Sequence, residues 1–404
     1  MKKVVFLTIL LLLITSMAFA GQTLKVLMPI GGGYTIEDQE AIAKEFEAAN
    51  PGVKIQMEFV GWENLWNKII TSIGSGSAPD VMYIGSRWIP ALAELGAIIP
   101  LDKYITDEKK ALYYDTVWKT VSYKGKYWGV VRAMSTKAFI YNKKLFAEKG
   151  LSVPKNWDEL KAAAAKIYDP ANKVYGIAMA GKRFVSTVTQ FQQYLYANGG
   201  NIVNENGKAI IDNENGVGAL EFYKELSKYA QPGITEWKRE DLVKLFETGK
   251  VGMYIDHVHN AIAASKKGVD VGLFMIPKGP MGKTPYSTVI VTDCISITSQ
   301  SKNVDLAVKF MNYMTSFEKQ KEWDLKLGFV PPMVKEKDLP DFQTEFWKPY
   351  IEAIKYGVPE ALNIKDWEGV QEAVLDAIQA VLLGKQDAKS ALKTAAYIIN
   401  LLQK

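Results

Sequence analysis

Cysteine and histidine are nearly absent from this chain: 404 residues carry one Cys and two His. A single thiol excludes an internal disulfide and a thiolate metal cluster. Cys294 lies in the apolar run 289–297 and reads as a buried, inert thiol. The two histidines, His257 and His259, follow Asp256 and offer three metal ligands at most. With no further histidine and no available thiolate, a closed zinc site is not expected. Hydrogen bonding to a ligand is the expectation for this trio, with structural satisfaction as the alternative. The apolar segment 4–14 is too short to span a bilayer comfortably. No internal repeat and no low-complexity tract is present. The charge imbalance is small, 49 Lys and Arg against 44 Asp and Glu. It falls to +3 without the two lysines near the N-terminus, too little to argue for nucleic acid.

What is present is the composition of a soluble globular protein, 48% hydrophobic and 23% charged, with 10 Trp and 20 Tyr. That aromatic content suits large cores or stacking surfaces. The length suggests two domains. Residues 1–20 read as an export signal: Lys2 and Lys3, an apolar segment 4–14, and Ala18-Phe19-Ala20 as the cleavage site. Cleavage after Ala20 leaves Gly21 first. No cysteine follows the apolar segment, so the expectation is a freely diffusing periplasmic protein without a lipid anchor.

From there the chain reads as α/β. Residues 23–28 form a strand, and 29–34 a loop with three consecutive glycines. Thr35 caps a helix whose stripe is Ile42, Phe46 and Ala49. Residues 53–60 alternate as a second strand. Strand, helix, strand at this spacing is a βαβ unit, so the two strands are expected to be parallel. The triple glycine lacks both the Gly-Lys-Ser/Thr ending and the G-x-G-x-x-G spacing of phosphate loops. Its alternatives are a plain turn, or a cleft lining that includes Tyr34. A helical stripe follows: Trp62, Leu65, Trp66, Ile69, Ile70 and Ile73. Trp66 is expected in the core, whereas Trp62 stands where a strand ends. Residues 78–84 form the third strand, with Arg87 and Trp88 just beyond it. In open α/β sheets ligands bind beyond the carboxyl ends of strands. Arg offers forked donors there, and Trp a flat face.

The passage 123–160 organises the rest. Residues 127–131 and 137–142 suit strands. The segment 132–136 between them has no turn signal, so the chain is expected to run on. Asn156-Trp157-Asp158-Glu159 opens a helix as a capping box. Later come a helix at 187–196 bearing Thr189, Gln190 and Gln193, a strand 251–255 ending at Asp256-His257-Val258-His259, and an apolar strand 286–297. Asn303 is expected to cap the helix to 316. The longest helix, 366–383, buries Val370, Val374, Ala377, Ile378 and Val381, with Trp367 on the same stripe.

Several stretches carry a family resemblance: "GSAPDVMYI" with "LAELGAIIPLD", "YNKKLFAEKGL" with "PKNWDEL", "YANGGNIV" with "NGKAIIDN", and Phe246 with Gly249-Lys250 before a strand. In order and over nearly the whole chain, they resemble the extracellular solute-binding proteins of family 1, the maltose- and oligosaccharide-binding group of bacterial ABC importers. The resemblance implies a two-lobe periplasmic binding protein fold of type II, with three hinge crossings and the ligand in the interlobe cleft. The implied lobes are 21–133 with 288–331, and 134–287 with 332–404. Two departures stand out. Val131 replaces a usual proline. His259 falls where an aromatic residue usually stacks on the sugar, which suits a smaller or more polar ligand.

The function implied is the substrate-binding component of an ABC carbohydrate importer. It binds a sugar, oligosaccharide or polyol by hinge closure and delivers it to the transmembrane permease subunits. A monomer with no cofactor and no metal is expected. The candidate ligand-binding residues are Tyr34, Trp62, Arg87, Trp88, Arg132, Ser135, Thr189, Gln190, Asp256, His257, His259, Thr288 and Trp367. A non-sugar solute, such as a sugar phosphate or amino acid, is the alternative. An exported glycan-active enzyme is the remaining class, but it needs two carboxylates facing across a scissile bond. No motif sets such a pair apart, so no catalytic residue is expected.

Overall fold

In the computed structural model, which describes residues 21–30, 35–361 and 363–404, the alternating segments near the N-terminus form β1 (Gln22–Ile30) and β2 (Val53–Gly61). They pair in parallel over their whole length, Gln22 opposite Val53 and Ile30 opposite Gly61. Helix α1 (Ile36–Ala49) connects them. Thr35 caps it, accepting from Asp38 N at 3.2 Å. Its buried face is Gln39, Ala43 and Phe46 rather than the expected stripe ending at Ala49, which is exposed. Positions 39, 43 and 46 are the i, i+4, i+7 set of one helical face. Gln39 is covered because its amide donates to Pro29 O at 2.7 Å. Helix α2 (Trp62–Gly74) follows β2 directly, and β3 (Val81–Gly85), buried along its length, lies on the other side of β1.

The chain folds as two units. The first holds the described residues up to Tyr113, with Val121–Arg132 and Asp293–Leu327. The second holds Tyr114–Thr120, Ala133–Thr292 and Gly328–Lys404. Strand β4 (Val130–Ser135) runs through the segment that lacked a turn signal, and β5 (Ala138–Asn142) follows two residues later. In the second unit the chain then makes β6 (Tyr175–Ile177), α3 (Val185–Ala197), α4 (Arg239–Glu247), β7 (Val251–Asp256), α5 (Val258–Lys266) and β8 (Val271–Phe274). The sheet order is β8-β5-β7-β6, antiparallel except for the parallel β7–β6 pair. Its core includes Ile140, Leu242, Phe246, Val251, Tyr254 and Ala261. Asn156 caps the helix Trp157–Ile167, accepting from Glu159 N at 2.9 Å. Glu159 reaches back to Lys155 N, one residue before the cap.

The long apolar strand is β9 (Tyr286–Ile297). Its last five residues belong to the first unit and pair antiparallel with β3, Asp293 opposite Gly85 and Ile297 opposite Val81. The first unit continues with α6 (Val304–Met314) and α7 (Phe317–Leu327). Asn303 stands at the start of α6 but its side chain does not cap it. It donates instead to Asp80 Oδ1 and Thr23 O, both at 3.3 Å. Asp80 draws it there, because that carboxylate also gathers Lys25 N and the Ser301 hydroxyl. The second unit ends in α8 (Trp367–Leu382) and α9 (Ala388–Leu402). Val370, Val374, Ala377, Ile378 and Val381 of α8 are all buried, as their spacing requires.

Candidate functional site

At the carboxyl ends of β2 and β3 the first unit presents an aromatic cluster. Trp62 and Trp66, one turn apart on α2, are half-buried. Tyr83 and Trp88 are buried. The Trp62 and Trp66 rings lie 6.1 and 5.4 Å from Trp88, tilted by 45° and 35°, and Trp62 meets Tyr83 edge-on at 6.2 Å. These are favourable offsets for aromatic pairs. Trp88 is the buried member of the cluster, and Trp62 and Trp66 are its partly exposed ones. Trp66, expected in the core, is part of this surface because Trp88 fills the space beneath it.

Arg87 is layered on the same cluster, with Cζ 4.7 Å from the Trp88 ring and 5.8 Å from Trp62. Gly85 makes room for it. A Cβ at that position would lie 2.6 Å from Arg87 Nη1. Asp293 Oδ1 stands 4.0 Å from the same Nη1. Asp293 was missed in the sequence, although a lone acid inside the run Val-Thr-Asp-Cys-Ile was a visible signal.

Arg132 sits elsewhere in the first unit and is buried. Its Nη1 donates to Lys319 O at 3.0 Å, its guanidinium covers the Trp323 ring at 4.5 Å, and Gln320 Nε2 donates back to Arg132 O at 2.9 Å. Those bonds tie β4 to α7. Burial and the Arg132 charge lower the pKa of the neighbouring Lys109 to about 8. Lys109 Nζ donates to Thr315 O and Oγ1.

In the second unit a polar cluster stands at the carboxyl end of β7. Asp256 is fully buried. Its carboxylate accepts from Arg239 Nη1 at 3.0 Å, His257 N at 2.7 Å and Asn260 Nδ2 at 2.9 Å. It anchors the turn into α5. Lys137, just before β5, places Nζ 2.7 and 2.9 Å from the two His257 ring nitrogens, and donates to Ser135 Oγ at 3.3 Å. The His257 and His259 rings stack, 5.2 Å apart at 16°. Burial, then the charges of Lys137 and Arg239, holds His257 well below the usual histidine range. Burial lowers His259 to about 4; Asp256 opposes the shift while Arg239 and Lys137 add to it. Both imidazoles are neutral at neutral pH. His259 also packs on Gly328, whose φ is +69°. A Cβ there would lie 2.5 Å from His259 Cβ.

The remaining candidates are held by protein partners. Thr288 is buried, accepts from Lys137 N at 2.8 Å and donates to Lys137 O at 3.2 Å. Thr189 donates to Glu360 Oε1 and Val185 O, each at 3.1 Å. Gln190 accepts from Ala180 N at 2.6 Å and the Tyr223 hydroxyl at 2.8 Å. Gln193 accepts from Val289 N at 3.0 Å. Trp367 opens α8 and is buried at 2% exposure, so it packs in the core of the second unit. Tyr34 and the leader 1–20 lie outside the described residues. Lys137, Arg239 and Glu360 were missed, since each matters through a partner that its own local pattern does not name. A separate cavity of about 590 Å³ in the second unit, lined by Tyr114, Phe342, Ile351 and Ile354 among others, involves none of the candidates.

Over residues 32–321 the chain matches the family model described as bacterial extracellular solute-binding protein. A Brucella abortus protein named only as a binding protein is 33% identical over 88% of this chain and 87% of its own. The maltotriose-binding protein of Pyrococcus abyssi is 28% identical over 83% and 73%. A Thermotoga lettingae ABC transporter solute-binding protein, solved with α-D-tagatose, superposes with a TM-score of 0.83 at 26% identity, covering 95% of this chain and all of that one. The fold is thus the two-lobe α/β periplasmic binding protein fold.

Proposed function

Because the chain belongs to the bacterial extracellular solute-binding protein family, we propose that it is the substrate-binding component of an ABC-type importer for a sugar, oligosaccharide or polyol. The observation that carries this reading is the aromatic face of the first unit. Trp62 and Trp66 are backed by Trp88 and flanked by Arg87 and Asp293. An indole face matches the C–H face of a sugar ring, and a guanidinium beside a carboxylate matches its hydroxyls. The relatives' ligands, maltotriose and tagatose, support the ligand class.

Binding is proposed to favour a closed arrangement of the lobes over an open one, by the difference in contacts the ligand makes in each. Micromolar affinity corresponds to about −8.2 kcal/mol, within reach of one stacked ring and several hydrogen bonds. The role is delivery to the transmembrane permease subunits, outside the cytoplasm, by a monomer that binds without catalysis. The leader is proposed to be removed after Ala20.

A thermal-shift screen against mono-, di- and trisaccharides, polyols, sugar phosphates and amino acids tests the reading. A rise in melting temperature with one neutral sugar or polyol is expected. Shifts confined to amino acids would retain the fold and discard the carbohydrate assignment. Turnover of a glycan would overturn the binding role.

A further inference from the structure

One cation and one anion stand together at the carboxyl end of β3. The Arg87 and Asp293 side chains are 12% and 15% exposed, covered but not sealed, and Nη1 and Oδ1 are 4.0 Å apart. The backbone dictates this placement. Asp293 is opposite Gly85 across the β3–β9 pairing. Arg87, two residues past Gly85, folds back over that glycine and onto the Trp88 ring. At 4.0 Å these two atoms attract each other without sharing a hydrogen bond. The pair lines one edge of the aromatic face with groups that only donate beside groups that only accept.

A sugar or polyol hydroxyl both donates and accepts, so adjacent hydroxyls engage such a pair without disturbing its charge balance. A ligand carboxylate or phosphate does otherwise. It gains from Arg87 but meets the Asp293 carboxylate at the same edge, in a partly covered site where screening is weak. We infer that Asp293 is a specificity-determining residue, which restricts the aromatic face of the first unit to uncharged hydroxylated ligands and rejects sugar acids and sugar phosphates. The inference rests on the carbohydrate reading above and narrows its ligand class.

Matched pairs of neutral and acidic ligands test it: D-mannitol with D-mannonate, D-tagatose with D-tagaturonate, and maltotriose with its aldonate, titrated calorimetrically into the purified protein at pH 7.5. The wild type binds the neutral member of one pair at least tenfold more tightly than the acid. Asp293→Asn preserves the shape, removes the negative charge and lowers that ratio at least tenfold, with a gain for the acid itself. The double variant Arg87→Gln/Asp293→Asn removes both charges of the pair together. Its ratio falls between those of the wild type and the single variant, and it reports even if Asp293→Asn fails to fold. A structural role for Asp293 would weaken both members of a pair equally. An unchanged ratio in every folded variant, or a wild type that prefers the acid, overturns the inference while leaving the importer reading in place. A wild type that binds no member of any pair overturns both.

Discussion

Lys137 Nζ lies 2.7 Å from His257 Nε2, so the ring beside it cannot take up a proton without setting two cations in contact. Stability should therefore depend on pH in a definite direction. The folded pKa values of His257 and His259 lie below those of the unfolded chain, which binds more protons as pH falls. Stability is full above about pH 6.5 and declines from there toward pH 4. Urea unfolding from pH 7.5 to 4 measures it. His259→Gln should flatten the acid decline by about 2 kcal/mol relative to wild type, after allowance for the partial exposure of the ring.

Asp256 gathers three hydrogen bonds while fully buried. Asp256→Ala leaves Arg239 without its main partner and frees the turn into α5. A loss of about 3 kcal/mol or more is expected, read as a lower urea midpoint. A loss under about 1 kcal/mol would show that water replaces the carboxylate.

Trp66 and Trp88 belong to one cluster but differ in exposure. Trp88→Ala opens a cavity and should destabilise by about 3–5 kcal/mol. Trp66→Ala should cost less stability and lower ligand affinity about tenfold or more. Melting curves and calorimetry on both variants separate the two roles. Equal affinity in Trp66→Ala and wild type would remove Trp66 from the binding face.

Gly328 combines a left-handed backbone with contact against His259. Gly328→Ala meets both strain and overlap, and a loss of about 2 kcal/mol is expected by urea unfolding.

Cys294 is fully buried, and burial pushes its thiol pKa up. Ellman's reagent should leave it unmodified in the native protein and react fully in 6 M guanidinium. Rapid native labelling would contradict the packing of β9.

The strands and helices were legible in the sequence because period and capping are local. The alternation of β2, the run of β9 and the stripe of α8 each name their own element. Ala49 and Asn303 misled for a shared reason. A neighbour distant in sequence, Pro29 for Gln39 and Asp80 for Asn303, offers a better hydrogen bond than local rules foresee. At the candidate site, Trp62, Arg87, Trp88 and the histidine turn could be found because each follows the end of a strand. Asp293 showed only as a lone acid in an apolar run, and the sequence named no partner for it or for Lys137. Each matters through a partner more than a hundred residues away, and pairing at that range has no imprint in composition or spacing.

Gly85 gives a last consequence. The guanidinium of Arg87 reaches its place over the Trp88 ring because residue 85 carries no side-chain carbon. A methyl group added there would swing the arginine off its tryptophan while disturbing little else, since the obstructing atoms are the tip of a flexible chain. Ligand preference in descendants of this protein is then open to change at a position that has no side chain. Natural variation at that one backbone site would retune the recognition of hydroxyl groups while every side chain in the pocket kept its identity.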